Sequence, residues 1–133
     1  MFLEIKNTTI GYQKPLISEV NASLDFGDIC LLIGNNGVGK TTLIKSILNQ
    51  ISLLNGEILI NKKQNIQLSN KEIADQIAVV FSKSQIPANY TTEDLISLGK
   101  FIHLPYYYQL EKEDTQEVNH IISQLKLDEY KNT

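Results

Sequence analysis

The chain has 133 residues, 42% of them apolar and 20% charged, with a formal net charge of −3. That length accommodates one small domain with its own core, and the apolar content excludes a disordered tail. A pI near 5.3 excludes nucleic-acid binding through bulk positive charge, and the single cysteine cannot close an internal disulfide, as expected of a cytoplasmic chain.

The longest apolar runs, Ile29–Ile33 and Ile77–Phe81, have five residues each, far fewer than a bilayer span needs. Glu4 interrupts the apolar stretch that a signal peptide would keep clean. All 12 side chains in the Lys-plus-Arg count are lysines.

In chain order, Phe2–Lys6 alternates apolar and polar as a half-buried strand does, and Val20–Phe26 alternates in the same way. Gly27-Asp28 marks a turn. Ile29–Ile33 is apolar throughout, which predicts a strand covered on both faces, as in a parallel sheet, with Cys30 as a packing residue. A glycine-rich loop, Gly34 to Gly39, leads into helical spacing over Thr41–Ile51, with Leu43, Ile44, Ile47, Leu48 and Ile51 on one face. Asn55-Gly56 punctuates the chain, and Glu57–Asn61 predicts another strand. Ser69-Asn70-Lys71-Glu72 is a capping box, and Ile77–Phe81 is a second candidate for a fully buried strand. A polar loop containing Pro87 precedes a short helix capped by Thr91 or Thr92 and ending near Gly99. Phe101–Tyr108 is aromatic and irregular, and a last helix from about Asp114 to Leu125 carries Val118, Ile121, Ile122 and Leu125 on one stripe, with His120 as a surface residue.

The chemistry concentrates in Gly34-Asn35-Asn36-Gly37-Val38-Gly39-Lys40-Thr41, which matches the phosphate-binding pattern G-x-x-x-x-G-K-[ST] between an apolar run and a helix. Glycines at 34, 37 and 39 let the backbone wrap an anion without Cβ clashes. Amides from about Gly37 to Thr42 would face the α- and β-phosphates at the positive end of the helix dipole. Lys40 would reach the β- and γ-phosphates, and the Thr41 hydroxyl would ligate Mg²⁺. The chain offers no N-K-x-D or D-x-x-G motif of a GTP-binding protein, and no arginine clamp of a small-molecule kinase.

Beyond this loop the sequence resembles the ATP-binding subunits of ABC transporters. The resemblance runs from Met1 to about Tyr130 and is carried by Ile10-Gly11-Tyr12, Asp25-Phe26-Gly27-Asp28, the loop with its Thr41-Thr42-Leu43 continuation, and Asn55-Gly56-Glu57-Ile58. It implies an α/β fold: an incomplete P-loop NTPase core over 1–81, with N-terminal antiparallel strands, then a loop and the start of a helical subdomain over 82–133. It implies ATP and Mg²⁺ as cofactors, with Gly34, Asn35, Asn36, Gly37, Val38, Gly39, Lys40, Thr41 and Thr42 around the phosphates. Tyr12, 22 residues before Gly34, would stack on adenine. Tyr90–Lys100 is similar to a phrase of importers of the iron-siderophore, haem or cobalamin type, with Lys100 where those carry arginine and Phe101-Ile102-His103 where they carry Pro-His. His103 has no ligand cluster nearby in sequence to make it a metal site.

The family's Q-loop glutamine, which touches Mg²⁺, would follow Val79-Val80-Phe81 directly. Ser82 stands there, and the nearest glutamine is Gln85, so either residue is a candidate for the metal. Phe101, Tyr106, Tyr107 and Tyr108 fit either a contact with a membrane permease or the core of the helical subdomain. No apolar run of four or more ends in Asp or Glu, and no L-S-G-G-Q follows; Leu68-Ser69-Asn70-Lys71-Glu72 lacks both glycines. The sequence therefore reads as the N-terminal half of an ATPase domain, expected to bind ATP without hydrolysing it and to leave an unpaired apolar sheet edge. The resemblance implies a cytoplasmic subunit peripheral to the inner membrane, paired head-to-tail with a second ATPase subunit on a permease. A different P-loop enzyme, of kinase or GTPase type, and a non-hydrolysing regulatory module are the alternatives.

Overall fold

The computed structural model describes residues 1–80, 89–100 and 110–132. The chain divides into two compact units, Met1–Ile77 and Ala78–Thr133.

The first unit is built on an antiparallel sheet of β1 (Leu3–Gly11), β2 (Pro15–Leu24), β3 (Asn55–Ile60) and β4 (Lys63–Gln64), in the order β2-β1-β3-β4. Helix α1 (Lys40–Ile47) and helix α2 (Asn70–Ala74) belong to the same unit. β1 is longer than the predicted Phe2–Lys6 because a bulge lets its pattern change parity. Leu3 and Ile5 are buried on odd positions, then Thr8 and Ile10 on even ones. Asn7, at φ +44°, takes up the extra residue, and the register against β2 and β3 shifts there. A strand has a period of two, so one inserted residue moves the following side chains onto the other face. The Asn7 amide donates to Asn21 Oδ1 at 2.8 Å, and the buried Thr8 hydroxyl donates to Glu57 O at 3.0 Å. Ile58 and Ile60 of β3 join Leu3, Ile5, Ile10, Leu43, Leu48, Leu68 and Ile73 in one core.

α1 stops short of the predicted Ile51. Asn49 adopts φ +55°, its amide donates to Ser46 O at 3.1 Å, and the Gln50 amide donates to Lys45 O at 2.8 Å. This pair of bonds is a Schellman closure with asparagine in the left-handed position. Asn65, almost fully buried, reinforces it by donating Nδ2 to Ser46 O (2.7 Å) and Ile47 O (3.1 Å). The Ser46 hydroxyl beside it is buried with no hydrogen-bond partner among the described residues. Ser46→Ala is therefore expected to raise stability by about 1 kcal/mol, the cost of an unmet buried hydroxyl. Asn65→Asp keeps the shape but replaces a donor by an acceptor against helix carbonyls, and is expected to lose about 2–3 kcal/mol. Urea unfolding of both variants checks the pair.

Two sequence expectations fail here. Ile29–Ile33 forms no strand, and its residues are exposed, Ile29 at 98% and Cys30 with it, so Cys30 is not a packing residue. Ile77 packs partly against the core, but Ala78–Val80 form no strand and are exposed, while Phe81 lies outside the described residues. A strand covered on both faces exists only between neighbours, and among the described residues no strand pairs with either run. Phe26, predicted to close β2, lies beyond its end, exposed and tilted against Phe2 at 5.0 Å between ring centroids.

The second unit holds helices α3 (Thr92–Leu98) and α4 (Lys112–Gln124). The Thr91–Asp94 capping box starts α3, and the hydroxyl and amide of Thr91 hold the Asp94 carboxyl below the usual carboxylate range. The two helices are fastened by lysines: Lys100 pairs with Glu117 and with Asp114 (3.4 Å), and Lys131 reaches Glu93 (3.3 Å) and Asn119 (2.7 Å). Val118 and Ile122 are buried as predicted, whereas Leu125 is exposed because α4 closes with Lys126 at φ +57°. His120 is exposed.

Candidate phosphate-binding site

The loop between residues 34 and 39 reaches α1 through two glycines in the left-handed region, Gly37 (φ +85°) and Gly39 (φ +105°). Gly39 occupies the N-cap, where no side chain caps the helix, and the first helical bond runs from Leu43 N to Gly39 O at 2.9 Å. The leading amides of α1 thus keep their donors for an external acceptor at the positive end of the helix.

Gly39 is also pressed against β2. A Cβ there would sit 3.0 Å from Ile17 Cδ1 and 3.7 Å from Leu16 Cβ, so the glycine serves close packing as well as its dihedral angle. Nothing in the sequence singled out Ile17 or Leu16 as the support of the loop. Their role depends on which strand lies behind it.

Lys40 turns back over the loop and donates Nζ to Gly34 O (2.6 Å) and Asn35 O (2.8 Å). Its ammonium is thereby anchored where a point charge can also meet an anion. Asn36, Gly37, Gly39, Lys40, Thr41 and Thr42 line a cavity of about 200 Å³. That is less than the roughly 300–1,000 Å³ of a complete small-molecule site. It is of a size for phosphoryl groups, and a base attached to them would have to lie outside it. Thr41 is exposed toward solvent and Thr42 is buried. Val38 is half exposed, and its methyl packs at Gly34.

Tyr12, 66% exposed, begins the turn between β1 and β2, four residues before Leu16 and five before Ile17. The strand that packs against the loop's glycine therefore starts at Tyr12's own turn, with the tyrosine largely exposed. Two larger cavities, about 520 Å³ beside α3 and about 420 Å³ beside the end of α1, lack this combination of open helix amides and lysine. Size does not choose the site here; donor chemistry does.

The residues present fit a magnesium-nucleotide. Mg²⁺ takes few protein ligands and relies on substrate phosphates and water, and Thr41 supplies one hydroxyl. Among the described residues no group of three or more His, Cys, Asp or Glu could hold a metal without such a ligand. Ser82 and Gln85, the other metal candidates, lie outside the described residues, as do His103 and the aromatics Phe101, Tyr106, Tyr107 and Tyr108.

Comparison with known proteins bears on the same loop. Residues 17–133 match the ABC transporter family. The petrobactin import ATP-binding protein of Bacillus anthracis is 28% identical over 129 residues, covering 96% of this chain and 47% of that protein. The iron(3+)-hydroxamate import ATP-binding protein of Bacillus subtilis is 29% identical over 129 residues, covering 96% and 48%. The chain thus spans about half the length of the curated relatives it matches. Among solved structures, a dimeric bacterial ABC transporter cassette superposes with a TM-score of 0.81 at 19% identity, over 98% of this chain and 60% of that one. The shared fold is that of the ABC ATPase P-loop domain.

Proposed function

The chain belongs to the ABC transporter family, and from that premise we propose that it binds Mg-ATP as part of a transporter's ATPase subunit. The observation that carries this reading is the anchored Lys40 beside the uncapped start of α1, in a cavity sized for phosphates. Amides of Gly37–Thr42 and the Lys40 ammonium bind the phosphates, and Thr41 holds the magnesium ion, which supplies charge neutralisation at the phosphate oxygens. Tyr12 stacks on the adenine. Asn35, Asn36 and Val38 shape the loop, with Gly34 at its entry. Residues 1–81 form the nucleotide-binding part, and 82–133 the Q-loop and the start of a helical subdomain.

The relatives' names favour import of an iron-siderophore or related chelate. The dimeric cassette among the solved structures supports a second ATPase subunit as partner, and a membrane permease completes the proposed transporter. Among the described residues no helix is long and apolar enough to cross a membrane, which suits a subunit held at the membrane by its permease. No apolar run of four or more ending in Asp or Glu and no L-S-G-G-Q occurs in the 133-residue sequence, so this chain by itself is expected to bind ATP without steady turnover.

The direct test is titration with a fluorescent ATP analogue and Mg²⁺, alongside a phosphate-release assay. Saturable binding without release is expected. Tyr12→Ala should weaken it by about 5- to 150-fold, the worth of one base–aromatic stack, while Tyr12→Phe keeps it. Binding indifferent to Tyr12→Ala would remove the adenine role, and steady release would show catalytic groups beyond those assigned. In Ser82→Ala and Gln85→Ala, the ratio of affinities with and without Mg²⁺ identifies the metal-linked residue. If that ratio is unchanged in both, neither serves the metal.

A further inference from the structure

Asparagine followed by glycine occurs twice in the chain, at Asn36-Gly37 in the phosphate loop and at Asn55-Gly56 in β3. In sequence the two pairs have the same chemistry. Glycine has no Cβ to hinder approach, so its main-chain nitrogen can reach the side-chain carbonyl carbon of the asparagine before it. That approach requires the peptide between the two residues to turn, and the fold decides which pair can do so.

Little holds the peptide at Asn36-Gly37. Both residues are exposed in a turn, and a Cβ on Gly37 would meet nothing within 4 Å. The backbone bond across the turn, from Val38 N to Asn35 O, is long at 3.4 Å, and among the described residues the Gly37 amide donates to no backbone carbonyl. Lys40 Nζ stands 2.8 Å from Asn35 O, and the N-cap of α1 follows at Gly39. Both place positive charge where it favours a deprotonated Gly37 amide, the form that attacks.

Asn55-Gly56 is equally exposed, so access to water does not separate the pairs. Its backbone is clamped instead. Asn55 pairs with Thr9 of β1, and the neighbouring Leu54 amide donates to Thr9 O at 2.9 Å. The place of a Gly56 Cβ lies 2.4 Å from Asn7 O and 2.5 Å from Lys6 O. Turning the Asn55–Gly56 peptide would break this pairing or press β3 into main chain that has no room to yield.

We infer that Asn36 is a site of spontaneous deamidation, held open by the same loop geometry that leaves Asn55 protected, and that the change closes the loop to phosphates. The second part rests on the reading of this loop as a nucleotide site. Gly37 N bonds to Asn36 Cγ, the Cγ–Nδ2 bond breaks, and the amide proton leaves with that nitrogen as ammonia. Water then opens the cyclic imide. Cleavage at Cγ gives aspartate, and cleavage at the main-chain carbonyl gives isoaspartate; nothing is oxidised or reduced. Either product puts a carboxylate on a residue that lines the phosphate-sized cavity, where it repels an anionic ligand and competes for the Lys40 ammonium. Isoaspartate also lengthens the main chain by a methylene just before Gly37, displacing the amides that follow.

The test incubates the intact chain in mildly alkaline buffer and maps digested samples by mass spectrometry, with isoaspartate counted by enzymatic methyl transfer. Conversion at Asn36 is expected to run at least about tenfold faster than at Asn55. In guanidinium, with no fold around either pair, the two rates should converge. Saturating Mg²⁺ and ATP analogue should slow conversion at Asn36 only. Affinity for the analogue should fall at least about tenfold in the converted chain and in Asn36→Asp. The proposal is overturned if Asn55 converts as fast as Asn36 in the folded chain, if Asn36 stays intact there, or if the converted chain and Asn36→Asp bind as the fresh parent does. A fresh chain that fails to bind the analogue overturns the nucleotide reading instead, while the peptide map still decides the modification.

Discussion

Lys40→Ala is expected to weaken binding of the ATP analogue by roughly 100- to 1,000-fold, while leaving urea stability within about 1 kcal/mol of the parent. The two effects separate because the ammonium serves the ligand more than the fold. In the free chain Nζ donates only to Gly34 O and Asn35 O, on an exposed loop. Exposed bonds of that kind contribute about 0.5–1.5 kcal/mol each, and water replaces them when the donor is removed. Against a triphosphate the same ammonium makes charge-assisted bonds of about 1.5–3 kcal/mol each. Two such bonds at the lower end of that range correspond to the stated loss at about 1.4 kcal/mol per decade of affinity. Lys40→Arg is expected to restore only a small part. A planar fork cannot place one compact charge between two carbonyl oxygens 2.6 and 2.8 Å away. Near-parental affinity in Lys40→Ala would mean that the helix amides alone hold the ligand.

Gly56→Ala is expected to be severely damaging to the fold, at about 3–5 kcal/mol, a large share of the stability of a small domain. Gly56 has φ +83°, and a Cβ there would lie 2.4 Å from Asn7 O and 2.5 Å from Lys6 O. Both obstacles are backbone atoms of the β1 bulge and cannot rotate away. The bulge and the glycine are therefore one device: the extra residue at Asn7 pushes carbonyls toward β3, and β3 meets them with the residue that has no side chain. Gly27→Ala provides the control. Its φ of +88° carries the same dihedral penalty, but nothing lies within 4 Å of the added Cβ. It should cost only about 1–2 kcal/mol. Urea midpoints of the two variants separate clash from dihedral strain, and equal losses would show that the close approach contributes nothing.

These two residues differ in how far the sequence reveals them. Lys40 is legible from its neighbours, since its proposed role depends on glycines and a hydroxyl within a few residues along the chain. Gly56 reads in sequence as ordinary punctuation before a strand, yet it lies inside β3, opposite a bulge 49 positions away in Asn7. Asn65 is similar: a polar residue among polar residues until the fold brings it to the carbonyls of Ser46 and Ile47. The helix start at Ser69 was readable because a capping box closes within four residues, whereas Thr91 and Thr92 stayed alternatives until the structure placed the cap at Thr91.

The runs Ile29–Ile33 and Ile77–Phe81 mark the opposite limit. Their composition predicts burial, but burial is a property of neighbours, and among the described residues no strand pairs with Ile29–Ile33 or Ile77–Val80. Hydrophobic pattern specifies which residues gain from a sheet; whether the sheet is there to receive them depends on strands from elsewhere.

By itself the sequence marked the candidate phosphate loop, the capped helix starts and the family, because each rests on short-range chemistry: dihedral freedom, a charge, a hydroxyl, a cap. Only the tertiary structure decided that β1 changes face at Asn7, that Gly56 makes room for it, that Ile17 backs Gly39 and Asn65 closes α1, and that Cys30 is exposed. Those outcomes turn on contacts between residues far apart in the chain, where packing chooses among placements that local preference leaves equivalent.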